Sequence, residues 1–379
     1  MKHIAYVIPT LDRIGGAEQQ VILLATGFAE RGWRVSIITL SGGRRHLVRK
    51  LESAEIAFHS LEMRKGLADP RGWVRLHCWI RQNQPDIVHA HLPHASLLAR
   101  WSRLAAPMRV LIDTIHSPAT GGVLRKLGYR MSASLPDVVT AVSRTAAGPW
   151  LSSGIAKEKR LAIIPNGVEI ERWRRDDDIR NAMRERLRLR NEFLWLSVGR
   201  LDPVKDHSTL LWALALLPSD AELVIAGDGQ LRDPLRALAH ELGLADRVHL
   251  PGFQTDVLPW MCAADGFVLS SRWEGLPIAL LEAAACCLPV VVTDIPGARE
   301  VLPDLRGNQA APVGDEKALA AAMQALMCLP ATERHDLGQR NHKSVCGRFN
   351  LDEVLNQWEN LYNLQLERNP QRSRFGTSA

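Results

Sequence analysis

Short β-branched runs alternate along this chain with longer segments whose apolar residues recur every three or four positions, the rhythm of parallel α/β sheets. Candidate strands in the first half fall at residues 4–8, 35–40, 56–60, 87–90, 110–115, 138–142 and 161–164. A second series follows at 194–198, 223–226, 248–250, 267–269 and 290–293. The stretch between them, 165–191, is charged and pattern-poor, and reads as a linker with entry into a second domain. Beyond 313 the period becomes helical, over 316–329, 331–345 and 351–366. The last segment, 368–379, has too little apolar content to pack and is expected to be disordered. A length of 379 residues exceeds one typical core, so two doubly wound domains are expected. Such sheets bind ligands beyond the carboxyl ends of their strands, which predicts a cleft between the domains.

Composition narrows the class without naming an activity. With 46% hydrophobic and 23% charged residues the chain is an ordinary globular protein. Its six cysteines contain no Cys-x-x-Cys pair and no zinc spacing, which suits a reduced cytoplasmic compartment. The start, Lys2 to Ile8, is too short for the apolar core of a signal peptide. The longest apolar run, 278–292, carries Glu282 and Pro289 and falls short of a membrane span. Charge is unevenly placed. Residues 1–150 hold 20 Lys and Arg against 10 Asp and Glu, whereas the remainder holds 27 against 31. Arg71, Arg75, Arg100, Arg103, Arg109, Arg125, Lys126 and Arg130 belong to the basic half, with Trp73, Trp79, Trp101 and Tyr129 interleaved. A surface of that kind can dock on anionic lipid headgroups, or stand as a solvated basic face. No helix-turn-helix, finger or RNA-binding signature accompanies it, so nucleic acid is not the expected partner.

The chemistry concentrates at the expected strand ends. Glu274 and Glu282 bracket Gly275, Leu276 and Pro277, with seven residues between the two carboxylates. Pro277 suits the first turn of a helix, which puts Glu274 in the preceding loop and Glu282 inside the helix. A helix start favours phosphate, while ionised carboxylates accept from paired donors such as sugar hydroxyls. The pair therefore suggests a sugar joined to a phosphate, against the alternative of two solvated surface glutamates. After 194–198 comes Gly199-Arg200, with Lys205 five positions on, a guanidinium and an ammonium that could neutralise a diphosphate or form structural ion pairs. Gly227-Asp228-Gly229 follows another strand, where glycines would let backbone approach a base or ribose. Gly15-Gly16 opens a helix after the first strand; it is not Gly-x-Gly-x-x-Gly, which disfavours a dinucleotide. His116 stands at the end of 110–115, on the same side as the expected cleft.

Taken in order, Gly15-Gly16, residues 163–168 (Ile-Ile-Pro-Asn-Gly-Val), Val198-Gly-Arg200 with Lys205, residues 226–229 and Glu274-x7-Glu282 resemble the retaining glycosyltransferases of family 4, over about residues 2–366. The resemblance implies the GT-B fold: two Rossmann-like domains, 1–168 binding the acceptor and 169–349 binding the nucleotide sugar, with 350–367 crossing back to the first. It implies a nucleotide-diphosphate sugar donor, a UDP-sugar first and GDP-mannose next, a hexose or N-acetylhexosamine transferred to a glycan or lipid-linked acceptor, and no metal or other cofactor. Carried onto this chain, Arg200 and Lys205 would neutralise the leaving diphosphate. Glu282 would accept from ribose hydroxyls and Glu274 from those of the transferred sugar. Gly199, Gly227, Asp228, Gly229, Gly275, Leu276 and Pro277 would line the donor, Gly15 and Gly16 would close over its phosphate, and His116 would reach its sugar, although Ser117 follows where the family commonly has glycine. Surface polysaccharide synthesis at the inner face of the cytoplasmic membrane is the setting implied. A GT-B nucleotide-sugar epimerase and a non-catalytic sugar-nucleotide or glycan-binding protein are the alternatives.

Overall fold

The computed structural model describes residues 1–370 apart from 13, 44, 65–68, 107 and 306–308. His3–Ile8 (β1), Arg34–Thr39 (β2), Ala57–Ser60 (β3), Ile87–His91 (β4), Val110–Ile115 (β5), Val138–Ala141 (β6) and Leu161–Ile163 (β7) form one parallel sheet in the order β3-β2-β1-β4-β5-β6-β7. Phe193–Val198 (β8), Ala221–Ala226 (β9), Val248–Gly252 (β10), Gly266–Leu269 (β11), Val290–Thr293 (β12) and Ala310–Ala311 (β13) form a second, ordered β10-β9-β8-β11-β12-β13. The chain divides into one unit of residues 1–167 with 352–379 and another of 168–351. Each sheet reverses its strand order once, between β1 and β4 in the first and between β8 and β11 in the second. Loops leaving those neighbouring strands diverge and open a crevice at the carboxyl edge.

The central strands are largely apolar runs because helices cover both faces. All six residues of β1 are buried. On one side Ala5 and Val7 pack with Leu76 and Ile80 of the helix Pro70–Asn83 and Leu98 of Pro93–Ser102. The other side receives the helices Gly16–Glu30 and Leu351–Arg368. Phe28 meets Tyr362 at a ring separation of 5.1 Å, and a Cβ on Gly27 would stand 2.4 Å from Leu355 Cδ1. The terminal helix thus belongs to the first unit's core. It includes Arg368, one residue into the segment expected to be disordered; 371–379 lie outside the described residues.

The pattern-poor stretch 165–191 is no mere linker. It contains the helix Asp177–Arg186, capped by Asp176, whose carboxylate accepts from Ile179 N at 2.9 Å. Arg180 and Arg184 both grip Asp265, at 2.5 and 2.9 Å, and Arg180 also donates to the carbonyls of Cys262, Ala263 and Ala264. Polar clamps fasten this helix to the second unit, which is why no strong apolar period marks it. Strand β13 was also missed, being two alanines long.

Candidate functional site

In the second unit the loops leaving β8, β9 and β11 stack on one another. Gly199 N donates to Ala226 O and Leu201 N to Asp228 O, each at 3.1 Å. A Cβ on Gly227 would lie 1.8 Å from Gly199 O, and one on Gly229 2.4 Å from Leu201 O. Both glycines are therefore demanded by the neighbouring backbone, whereas the sequence had suggested approach to a ligand. Asp228 is exposed, and its Oδ1 accepts from Gly229 N at 2.8 Å.

Lys205 turns inward beneath Gly199, whose Cβ, if present, would stand 3.0 Å from Lys205 Cε. Its Nζ donates to Glu274 Oε1 at 2.5 Å, and Ser271 Oγ donates to the same oxygen at 2.8 Å. Both charged side chains are largely buried, so a low local dielectric strengthens the pair. The loop carrying Glu274 is tied down along its length. Ser270 Oγ donates to Lys205 O and Arg272 N to Val204 O, each at 2.8 Å, and Thr293 Oγ1 donates to Ser271 O at 2.5 Å. A Cβ on Gly297 would reach within 2.5 Å of Glu274 O. Arg200 goes elsewhere: its side chain is 77% exposed and pairs with Asp202 at 3.1 Å. The two cations that the sequence paired do not share a partner here.

Pro277 is the N-cap of the helix Ile278–Ala285, not a residue of its first turn, and its carbonyl accepts from Leu280 N and Leu281 N. Gly275 and Leu276 form the bend before it. Glu282 lies inside the helix and is buried, at 4% exposure. His207, first residue of the helix His207–Ala215, was not anticipated. Burial, and then the charge of Lys205, depress its pKa to about 3 and keep it neutral.

In the first unit Gly15 caps the helix Gly16–Glu30. Gly15 N donates to Glu18 Oε2 at 3.0 Å, and a Cβ on Gly15 would crowd that oxygen at 2.9 Å. His116 follows β5 with Nε2 3.0 Å from Nδ1 of His91, and burial lowers its pKa to about 4. His89 and His91 alternate along β4 and so share a face, their rings 4.0 Å apart. Burial lowers both well below the usual histidine value. His89 Nε2 lies 2.6 Å from Thr114 Oγ1 and its Nδ1 2.8 Å from Tyr362 OH. Three neutral imidazoles thus stand in a row from the middle of β4, through its carboxyl end, to the residue after β5. Sequence reasoning found His116 alone; the signal for the others was the His-x-His that closes the run 87–91. Among the described residues no group of three or more His, Cys, Asp or Glu side chains is arranged to hold a metal ion.

Two parallel-sheet α/β units, each reversing its strand order beside loops rich in glycine and charge, define the GT-B class of glycosyltransferase folds. The chain belongs to glycosyltransferase family 4: residues 14–172 match the Glycosyltransferase Family 4 profile, and residues 178–344 match that of Glycosyl transferases group 1. It is 29% identical over 246 residues to the UDP-Gal:alpha-D-GlcNAc-diphosphoundecaprenol alpha-1,3-galactosyltransferase of Escherichia coli, covering 61% of this chain and 63% of that one. It is 36% identical over 227 residues to a GDP-mannose-dependent alpha-(1-6)-phosphatidylinositol monomannoside mannosyltransferase of Mycobacterium tuberculosis, covering 55% and 57%. These matches span less than two thirds of either relative's length. The fold is that of Anabaena HepE solved with UDP-glucose, with a TM-score of 0.84 at 20% identity over 95% of this chain and 99% of that one.

Proposed function

We propose that the protein is a retaining, metal-independent glycosyltransferase that moves a hexose or N-acetylhexosamine from a nucleotide-diphosphate sugar to a lipid-linked or glycan acceptor in surface polysaccharide synthesis. The observation that carries this reading is the fixed Lys205–Glu274 pair where the second sheet reverses its strand order. The acceptor hydroxyl oxygen attacks the anomeric carbon as its bond to the phosphate oxygen breaks. The hydroxyl proton passes to that departing oxygen, on the face the phosphate leaves, so the configuration is retained. Negative charge grows on the diphosphate, and Lys205 meets it with a cation already in place. Arg200, exposed and paired only at the rim, swings from Asp202 to the phosphates.

Glu274 takes hydroxyls of the transferred sugar, and Glu282 those of the ribose. Gly275, Leu276, Pro277, Gly199 and the stacked Gly227, Asp228 and Gly229 shape the donor pocket. Gly15, Gly16 and His116 act from the first unit, which binds the acceptor. A neutral His116 can give one hydrogen bond to a sugar hydroxyl without competing for the phosphate charge. Because protein cations neutralise the diphosphate, no metal is required for that role. UDP-sugars are the first donor choice and GDP-mannose the second; relatives named for each donor support both. Both of those relatives are named for lipid-linked acceptors, which supports work at the inner face of the cytoplasmic membrane.

A thermal-shift screen of UDP, GDP and ADP identifies the base. With the donor so defined, Lys205→Ala and Glu274→Ala are each expected to abolish transfer, whereas EDTA leaves it intact. A strict Mg²⁺ requirement overturns the metal-free mechanism. Release of an epimerised nucleotide sugar from donor alone overturns the transferase reading in favour of an isomerase.

A further inference from the structure

We propose that the helix Val123–Met131 is the element by which this protein docks on an anionic lipid bilayer. The proposal deepens the reading above, since it names how the enzyme reaches a lipid-linked acceptor. An even basic, aromatic face over the first unit is not what the fold presents. Arg100 is buried against Asp113, and Arg103, Arg109 and Arg71 are paired with Asp137, Asp86 and Asp69. Trp73 and Trp79 pack on the core, and Tyr129 is buried. Those cations and rings are spent on the fold.

The helix 123–131 is different. Val123, Leu124, Leu127 and Met131 are 82%, 85%, 52% and 64% exposed. At about 100° per residue they fall within one arc of about 100°, an apolar stripe that in a buried helix would face a core. Here the core side is already taken. Tyr129 lies under Arg100, 4.6 Å from guanidinium to ring centre, and edge-on to Trp150 at 4.8 Å, while Gly128 faces Leu97. The stripe therefore points to solvent by construction. Lys126 and Arg130 are exposed beside it, and the helix carries no acidic residue. An apolar stripe edged with cations is matched by the headgroup boundary of an anionic bilayer, where the stripe enters the acyl region and the cations meet phosphate. A second copy of this helix would oppose like charges.

Placement agrees with use. The helix begins seven residues after His116. Trp150, which packs on Tyr129, donates from Nε1 to Ser117 O at 2.9 Å and so ties the helix to the segment that carries His116. No described helix is long and apolar enough to cross a membrane.

The test is sedimentation of the full chain with vesicles of phosphatidylcholine alone, or with one third phosphatidylglycerol, at low and high salt. Binding to anionic vesicles is expected, with weakening by salt and little uptake by neutral ones. Leu124→Asp with Leu127→Asp should lower the partition coefficient by more than about tenfold. Lys126→Gln and Arg130→Gln should each lower it by about fivefold. Nucleotide binding by the second unit is measured on the same variants and is expected to be unchanged, and urea melts followed by hydrogen exchange of peptides in 1–167 verify that the first unit is folded. Failure of the native chain to bind anionic vesicles at low salt overturns the proposal, and so does undiminished binding by the Leu variants. Concentration-dependent self-association abolished by the Leu variants, without vesicle binding, assigns the face to a second copy and overturns it as well. Loss of nucleotide binding in the native chain would instead sink the glycosyltransferase reading.

Discussion

At the scale of single residues, the Lys205–Glu274 pair carries two loads that experiment can separate. As a largely buried ion pair it stabilises the loops after β8 and β11, and removing one partner leaves the other charge desolvated and unpaired. As machinery it supplies a cation for the diphosphate and an acceptor for the sugar. Lys205→Met or Glu274→Gln alone should each destabilise the protein, by about 1–3 kcal/mol in denaturant unfolding. The double variant should recover most of that loss, because no unpaired charge remains. Transfer should not recover, staying about 10²–10³-fold down in kcat. If the double variant regains activity along with stability, the pair is structural only. Both residues were singled out in the sequence as charges near strand ends, although their pairing with each other was not. Ser271 was not, since its role, a hydroxyl donated to the same Glu274 oxygen, shows only once the loop is folded.

Elements explain why some of the fold was readable and some was not. Strands buried on both faces announce themselves as apolar runs, and every run named from the sequence is a strand. The helix Asp177–Arg186 hid because its anchors are Arg180 and Arg184, and charged anchors leave no apolar period. Gly227 and Gly229 were read as ligand approaches, yet both are set by a neighbouring backbone that sequence does not reveal. The helix Ala331–Phe349 offers an internal contrast. A Cβ on Gly338 would lie 1.8 Å from Cys287 O, whereas one on Gly347 would meet nothing within 4 Å. Gly338→Ala is therefore expected to cost about 1–3 kcal/mol by overpacking against a carbonyl that cannot swing aside. Gly347→Ala should add about 0.5–1 kcal/mol by restricting the unfolded chain and suiting the helix. Urea melts of the two variants check this, and equal effects would show that the contact between this helix and residue 287 is looser than described.

For the whole molecule, the distribution of neutral histidines predicts that the two units respond differently to acid. His89, His91 and His116 of the first unit have pKa values lowered by burial, with His116 at about 4. The second unit has His207, at about 3. In the unfolded chain each returns to about 6.5. The unfolded state therefore binds protons that the folded state refuses as pH falls below about 6.5. Stability is intact above that value and declines beneath it, by up to about 1.4 kcal/mol per pH unit for each histidine, until the folded-state pKa is reached. His89 and His91, fully buried, carry most of the first unit's share, because the partial exposure of His116 lets water screen its charge. The carboxylates of Asp69 and Asp294, held below the ordinary range by Arg71 and Arg299, stay ionised throughout the interval from pH 7.5 to 5 and do not contribute. Hydrogen exchange compared at those two pH values, after correction for the intrinsic rate, should show peptides of 1–167 and 352–370 losing protection before those of 168–351. His89→Gln with His91→Gln should flatten that difference while leaving nucleotide binding in place. Equal loss in both units would mean that the histidine row does not set the order of acid-induced opening.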